Sequence, residues 1–230
     1  MGRTMGLKSL SFLALLALGA CATGLSEQAC LTGDAESIGF DDGRRGRMAA
    51  SVLDRVEQCA RYELAFDQSA YRAGWAQGNQ FFCTPTGALT ASLAGEGDLI
   101  ACAAPDALTI EGYSVGRRVA AAQREYDNAQ RRIDSLRSTI RSGRYQIDRV
   151  REKIPLIDNE DRRNELRADA ERARRNIRNA RRELPFARSA QRQAERELYA
   201  AQTSLSIFRS RLRGYDGRAD GGFPPLITAP

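Results

Sequence analysis

The sequence of 230 residues contains no histidine. Histidine is the commonest general base, a frequent metal ligand and a member of the standard serine and cysteine triads. The sequence also lacks the G-x-S-x-G, P-loop, dinucleotide-binding and H-E-x-x-H patterns. No two of its cysteines have the C-x-x-C spacing typical of a zinc site. We therefore expect that the protein is not an enzyme and holds neither a cofactor nor a metal ion.

A long hydrophobic run is also missing. The run from Leu10 to Cys21 has about half of the roughly 20 apolar residues that a membrane-spanning helix needs. It follows the positive charges of Arg3 and Lys8, and small residues close it, which is the pattern of a secretory signal peptide. Residues 1–20 are therefore predicted to be an export signal, and the chain is not expected to span a membrane.

The end of this signal, Leu18-Gly19-Ala20-Cys21, resembles the lipobox of bacterial lipoproteins. The resemblance implies that Cys21 is lipidated and becomes the first residue, with residues 21–29 as a tether. Ala22 replaces the aspartate that commonly retains such proteins at the inner membrane, so we expect a lipid anchor in the outer membrane, facing the periplasm. The alternative is an ordinary signal peptide with Cys21 as an incidental thiol.

Four further cysteines follow, an even number in a chain predicted to enter an oxidising compartment. They are Cys30, Cys59, Cys83 and Cys102. Two disulfides are expected, each stabilising the fold by roughly 2–4 kcal/mol. Four cysteines allow three pairings, and the sequence alone does not choose among them. The pairing that closes the shorter loops, Cys30 with Cys59 and Cys83 with Cys102, is favoured.

Charge divides the chain into two parts. Residues 117–213 contain 26 basic and 14 acidic residues, a net charge of +12. The remainder beyond the signal has 7 basic and 15 acidic residues, a net charge of −8. The acidic part holds the four cysteines and most of the glycine, which predicts a domain of residues 30–116 followed by a distinct segment of residues 117–213.

A Gly-aromatic-x-x-Gly pattern occurs three times in the acidic part. The copies start at Gly39, Gly74 and Gly112. In a helix the two glycines of each copy lie one turn apart on one face, where another backbone can approach closely. We interpret the copies as packing devices. The alternative is a ligand groove lined by their aromatic residues, Phe40, Trp75 and Tyr113. Asp41 and Asp42 are adjacent and do not face each other in a helix, so they are not expected to form an acid–base pair.

These motifs carry a family resemblance. They extend from Cys30 through the first glycine motif to Cys59-Ala60, then through Tyr71-Arg72-Ala73-Gly74-Trp75-Ala76-Gln77-Gly78, Phe82-Cys83-Thr84-Pro85 and Gly95-Glu96-Gly97 to Cys102. In this pattern residues 30–118 resemble the bacterial lipoproteins known as domain of unknown function 2799. The resemblance implies export, lipidation and disulfide bonds, and it transfers no mechanism.

The basic segment carries two heptad patterns. Apolar residues alternate in steps of three and four from Val119 to Ile157 and again from Leu166 to Leu212. Sustained heptads predict a coiled coil. Because Pro155 interrupts helical hydrogen bonding, we expect a turn at residues 155–161 and an antiparallel hairpin in which facing positions sum to 316 or 317. Residues 214–230 are expected to be a disordered tail.

The predicted fold is thus mainly α, a small disulfide-linked helical domain followed by a long antiparallel coiled-coil hairpin. The predicted function is a non-catalytic structural or protein-interaction scaffold of the cell envelope that projects a basic arm into the periplasm. The alternative is a binding module for peptidoglycan or anionic lipid. The expected partners are the membrane and either an envelope protein or peptidoglycan; nucleic acid is not expected.

Overall fold

The structure is a computed structural model that describes residues 25–216, and every regular element in this range is helical. The α-helices span Glu27–Thr32 (α1), Ala35–Arg44 (α2), Val52–Ala60 (α3), Gln68–Phe82 (α4), Pro85–Leu93 (α5), Ala107–Lys153 (α6) and Glu160–Asp216 (α7). Short 3₁₀ helices occupy Ala49–Ser51, Leu99–Ala101 and Ile154–Leu156. The mainly α fold predicted from the sequence is confirmed. The chain divides into two compact units, with the boundary between Phe81 and Phe82.

The first unit contains α1–α3 and nearly all of α4. A disulfide between Cys30 and Cys59 joins α1 to α3. Its core is built from Ala35, Val52 and Tyr71, with partly buried neighbours that include Phe66 and Trp75. A unit of this size has a small apolar core, so a crosslink that limits the unfolded chain contributes a substantial share of its stability.

Helices α2 and α4 cross in parallel through the first two glycine motifs. A Cβ atom added to Gly39 or Gly43 would lie less than 3.0 Å from a carbonyl oxygen of α4, and one added to Gly74 or Gly78 would meet α2 in the same way. The contacts are reciprocal, because each glycine faces the carbonyl of the residue three positions before a glycine of the other helix. The two motifs are therefore packing devices, and only glycine permits this backbone approach.

The second unit begins around a second disulfide, between Cys83 and Cys102. The two disulfides, Cys30–Cys59 and Cys83–Cys102, are the pairs that the sequence favoured because they close the shorter loops. Thr84 caps α5 by accepting a hydrogen bond from the Gly87 amide at 3.0 Å, and Pro85 follows in the first turn. The core of this region combines the residues Phe82, Ala88, Ala91 and Cys102.

The charge boundary at residues 116 and 117 falls inside α6, which is continuous from Ala107 to Lys153. The third glycine motif belongs to this helix, and a Cβ atom on Gly116 would collide with Ser92 of α5. The surface charge changes at this point, but the backbone hydrogen bonds of α6 continue across it, so the helix is not interrupted. The compact unit therefore starts at Phe82, upstream of the basic segment.

Helices α6 and α7 form the antiparallel hairpin that the heptads predict. A Cβ atom on Gly143 would touch Ile177 and would lie 3.5 Å from the carbonyl oxygen of Ala173, its predicted partner. The Gln191 side-chain amide donates to Gln130 across the pair. A continuous apolar seam contains Ile133, Leu136, Ala180 and Ala187, flanked by Ile140 and Leu184. In this seam the large residues Ile133 and Leu136 of α6 pack with the small residues Ala180 and Ala187 of α7, which allows close packing. We call residues 117–213 the arm. The part of helix α6 that belongs to the arm, from Arg117 to Lys153, is about 55 Å long.

The turn of the hairpin consists of the 3₁₀ helix Ile154–Leu156 and the residues up to Asn159. The Asn159 carboxamide oxygen caps α7 by accepting a hydrogen bond from the Arg162 amide at 2.9 Å. At its other end α7 extends past the heptads of α6, and Phe208 and Leu212 pack with Leu89 and Val115. The predicted tail began too early, because residues 214–216 still belong to α7; residues 217–230 lie outside the described range.

Helix α7 continues through Pro185, which is exposed and lies in its interior. Proline removes the amide that would bond to the Arg181 carbonyl, and its ring crowds the preceding turn. Replacing Pro185 with alanine is expected to raise the free energy of unfolding by up to about 3 kcal/mol. Urea unfolding followed by circular dichroism measures this change. Phe186→Ala, at the adjacent position that is 77% exposed, is the control and should change stability by less than about 0.5 kcal/mol.

Candidate functional site

The most concentrated polar chemistry in the described residues lies inside the first unit, around Asp42. Its side chain is buried between three helices. Arg55 of α3 binds both carboxylate oxygens, with Nε 3.0 Å from Oδ2 and Nη2 3.0 Å from Oδ1. The Tyr71 hydroxyl of α4 donates to Oδ2 at 2.9 Å. This geometry is a bidentate, charge-assisted pair reinforced by a neutral donor.

A further set of contacts surrounds this carboxylate. Arg47, in the loop after α2, places Nη1 3.3 Å from Asp42 Oδ1. The Gln58 carboxamide oxygen accepts from Arg55 Nη1 at 3.2 Å and from the Leu25 amide at 2.8 Å. We call Asp42, Arg47, Arg55, Gln58 and Tyr71 the Asp42 network.

The Asp42 network is closed to a substrate. Each carboxylate oxygen of Asp42 already has two donors, and the residue is only 4% exposed. Arg55 is 8% exposed and Tyr71 is fully buried. A general acid or base must reach a substrate proton through hydrogen-bond contact. The arrangement instead stabilises the relative positions of α2, α3 and α4, because a buried charge requires its partners.

The same geometry makes the Tyr71 phenol an unusually weak acid, because it raises the pKa of that group. Burial raises the pKa of the Tyr71 phenol well above its usual value of 10.0, and the hydrogen bond to Asp42 and the charge of that carboxylate raise it further. The phenol therefore stays neutral in the folded chain under conditions in which it ionises in the unfolded chain.

A loss of stability in alkali follows from this shift. Below pH 10 the contribution of Tyr71 is fully present, and as the pH rises above 10 the unfolded chain releases a proton that the folded chain retains. The free energy of unfolding should therefore fall with increasing pH in this range. Denaturant midpoints measured across it should fall less steeply for Tyr71→Phe than for the parent chain. Equal slopes for the two proteins would show that Tyr71 does not cause the loss.

The adjacent carboxylates Asp41 and Asp42 have different environments, as expected from neighbouring positions on a helix. Asp41 is exposed and forms a surface ion pair with Arg44 at 3.0 Å, whereas Asp42 points into the unit. They form no acid–base pair. Exposed ion pairs of this kind contribute only about 0–1 kcal/mol.

The three aromatic residues considered for a groove have separate partners. The Phe40 ring packs edge-on against Phe81, with centroids 5.6 Å apart, and Trp75 Nε1 donates to the Arg47 carbonyl at 2.8 Å. Both belong to the first unit. Tyr113 belongs to the second, where its hydroxyl donates to the Gly97 carbonyl at 2.8 Å and its ring packs edge-on against Phe82.

Sequence reasoning missed Arg55 and Tyr71, although a signal for Arg55 was present. The buried residues of α3 are Val52, Arg55 and Cys59, spaced three and four apart. An arginine between two apolar residues on one helical face indicates a charge whose partner is also buried. Tyr71 precedes the second glycine motif, and its sequence context resembles that of an ordinary core aromatic.

The arm presents a second, very different surface. Several of its arginines form ion pairs with carboxylates one turn away or across the hairpin; these pairs are Arg162–Glu165, Arg172–Asp169, Arg174–Glu171 and Arg132–Glu183. Along the outer side of α7, others have no carboxylate partner among the described residues. These are Arg175, Arg178, Arg181, Arg188, Arg192 and Arg196, all exposed. We call these six residues the arginine row.

Two other features, a metal centre and a membrane-spanning helix, are absent from residues 25–216. No group of three or more Cys, Asp or Glu side chains there is arranged to hold a metal ion. None of the helices in that range combines the length and the apolar character needed to cross a bilayer. The predicted lipidation site, Cys21, and the predicted signal peptide lie outside the described residues.

Comparison with known proteins gives one match. Residues 34–118 match the model of a family described as protein of unknown function (DUF2799). The match confirms the resemblance seen in the motifs; it includes the Asp42 network and ends where the arm begins. No curated protein and no solved structure matches the chain.

Proposed function

We propose that this chain, with its family domain followed by a coiled-coil arm, is a cell-envelope lipoprotein that acts as a non-catalytic scaffold. Lipid on Cys21 anchors it in the outer membrane, and the arm reaches into the periplasm towards a protein partner. The observation that carries this proposal is the arm itself. An antiparallel hairpin about 55 Å long is a stiff element, and it encloses no reaction chamber.

Other features support the same function. The most buried charged residues of the first unit are fully engaged with one another, which leaves them a structural role. The two disulfides suit an oxidising compartment. The lipobox-like tetrapeptide that ends at Cys21 supports a lipid anchor, because two or more acyl chains on one residue bind a bilayer stably.

Crosslinking in intact cells tests the scaffold proposal. A photoreactive amino acid is placed at Leu156, which is 83% exposed in the hairpin turn. Leu156 is preferable to Asn159, because Asn159 caps α7. The control position is Leu53, 63% exposed on α3 of the first unit.

The scaffold proposal predicts one discrete crosslinked species from the turn and from a second arm position, Tyr145, which is 62% exposed. The control position should not give this species. Equal crosslinking from Leu53, or none from either arm position in cells that contain the protein, contradicts a scaffold that acts through its arm.

A second candidate function, a binding module for peptidoglycan or anionic lipid, is favoured by the arginine row. Unpaired cations on one side of a helix attract a multivalent anion. Binding of the purified chain to isolated peptidoglycan or to lipid vesicles, without any protein partner, distinguishes this function from the scaffold.

A further inference from the structure

The arginine row gathers six exposed arginines along one stretch of α7, none of them ion-paired with a carboxylate among the described residues. Immediately before it, Arg172 and Arg174 each form an ion pair with a carboxylate three residues earlier. From Arg175 to Arg196 the row continues without such a pair within the described residues. Arginine stays protonated at any physiological pH, so the row retains its positive charge.

The heptad places the row on one side of the hairpin. Counting from the buried positions Ala173, Ile177 and Ala180, the six arginines fall at positions b, e and f, which cover one flank and the outer side of α7. The row spans about 32 Å along the helix. Within α7, Glu195 is the single carboxylate at these heptad positions between the ends of the row, whereas Glu183 lies on the other flank and pairs with Arg132.

The composition of this surface indicates the class of ligand. A protein–protein interface is usually centred on buried apolar and aromatic anchors, with charged residues depleted from its core. The side that carries the row has no such centre. A guanidinium group matches a phosphate with two parallel hydrogen bonds, and a straight row of them fits a flat array of phosphates.

Two exposed aromatic rings border the row. Phe186 is 77% exposed and Tyr199 is 73% exposed. Tyr199 lines a shallow hollow together with Arg192, Glu195 and Arg196. A Tyr ring settles at the level of lipid headgroups because its apolar body and its polar hydroxyl are both accommodated there, and Phe occurs on the membrane-facing side of interfacial helices.

We propose that the arginine row of α7 binds an anionic membrane surface through the phosphates of lipid headgroups. The arm then lies along a bilayer, with Phe186 and Tyr199 at the headgroup level. The proposal rests on the envelope location proposed above. This proposal can fail while the lipoprotein proposal holds, because its test uses protein that lacks Cys21 and its acyl groups.

The test measures binding to lipid vesicles. Residues 22–230, which include every described residue, are mixed with vesicles of phosphatidylglycerol and phosphatidylcholine or of phosphatidylcholine alone, and the bound fraction is determined by sedimentation. The row variant carries Arg178→Gln, Arg181→Gln, Arg192→Gln and Arg196→Gln. The matched variant loses the same charge from exposed arginines of α6, with Arg118→Gln, Arg141→Gln, Arg144→Gln and Arg151→Gln. Circular dichroism verifies that both variants retain their helices.

The parent chain should bind the anionic vesicles and not the phosphatidylcholine vesicles, and added salt should weaken the binding. Because each arginine near an anionic surface changes partition roughly fivefold, the row variant, which loses four of them, should bind roughly 600-fold more weakly. The matched variant should lose much less. Equal losses in both variants, or retention of the parent chain on isolated peptidoglycan without binding to anionic vesicles, would overturn the proposal.

Discussion

Replacing Asp42 with asparagine is expected to lower the free energy of unfolding by about 3–5 kcal/mol. The substitution keeps the volume of the side chain and removes only its charge and part of its accepting capacity. Arg55, which is 8% exposed, then remains buried without its counter-ion. Urea unfolding measures the effect, with the near-ultraviolet signal of Trp75 reporting on the first unit.

The neighbouring residue provides the control for this substitution. Asp41→Asn makes the same chemical change one position away, but Asp41 is exposed and its ion pair with Arg44 lies at the surface. That variant should lose less than about 1 kcal/mol. If the two variants unfold at the same denaturant concentration, the Asp42 network does not hold α2, α3 and α4 together.

Replacing Gly39 with alanine is expected to cost about 3 kcal/mol, although alanine is the better helix former. The new methyl group would lie less than 3.0 Å from the Tyr71 carbonyl oxygen. The methyl carbon is bonded directly to the α2 backbone and the oxygen belongs to the α4 backbone. Neither atom can rotate away, so α2 and α4 have to separate. That separation also disturbs the hydrogen bond from the Tyr71 hydroxyl to Asp42.

Ser37→Ala is the matched control for Gly39→Ala, because Ser37 lies on the same helix at an exposed position. It should leave the unfolding midpoint nearly unchanged. A Gly39→Ala variant as stable as the parent chain would contradict the close backbone crossing of α2 and α4.

The features that the sequence predicted well are those set by local spacing. The heptads of the arm fix which positions face each other, and buried residues such as Ile133, Ala180 and Ala187 occupy the predicted seam. The glycine spacing predicted close packing, because two glycines one turn apart leave a groove on any helix. Loop length favoured the disulfide pairs that the structure contains.

Features that depend on long-range contacts were harder to predict. The partners of Asp42 are 13 and 29 residues away, and no local periodicity brings Arg55 and Tyr71 to it. The charge pattern placed a boundary inside α6, because charge reports on the surface and the compact units are defined by packing. The spacing of the glycine motifs did not identify the neighbours of their aromatic residues, which are Phe81 for Phe40 and Phe82 for Tyr113.

The state of Cys21 tests the central proposal most directly. The protein is isolated from the membrane fraction of cells that express the full chain, and its N-terminal peptide is analysed by mass spectrometry. The proposal predicts a mature chain that begins at Cys21 and carries acyl chains on that residue, and it predicts that Cys21→Ser abolishes membrane attachment. A mature chain that begins elsewhere, or a Cys21→Ser variant that remains attached to the membrane as the parent chain does, would contradict it.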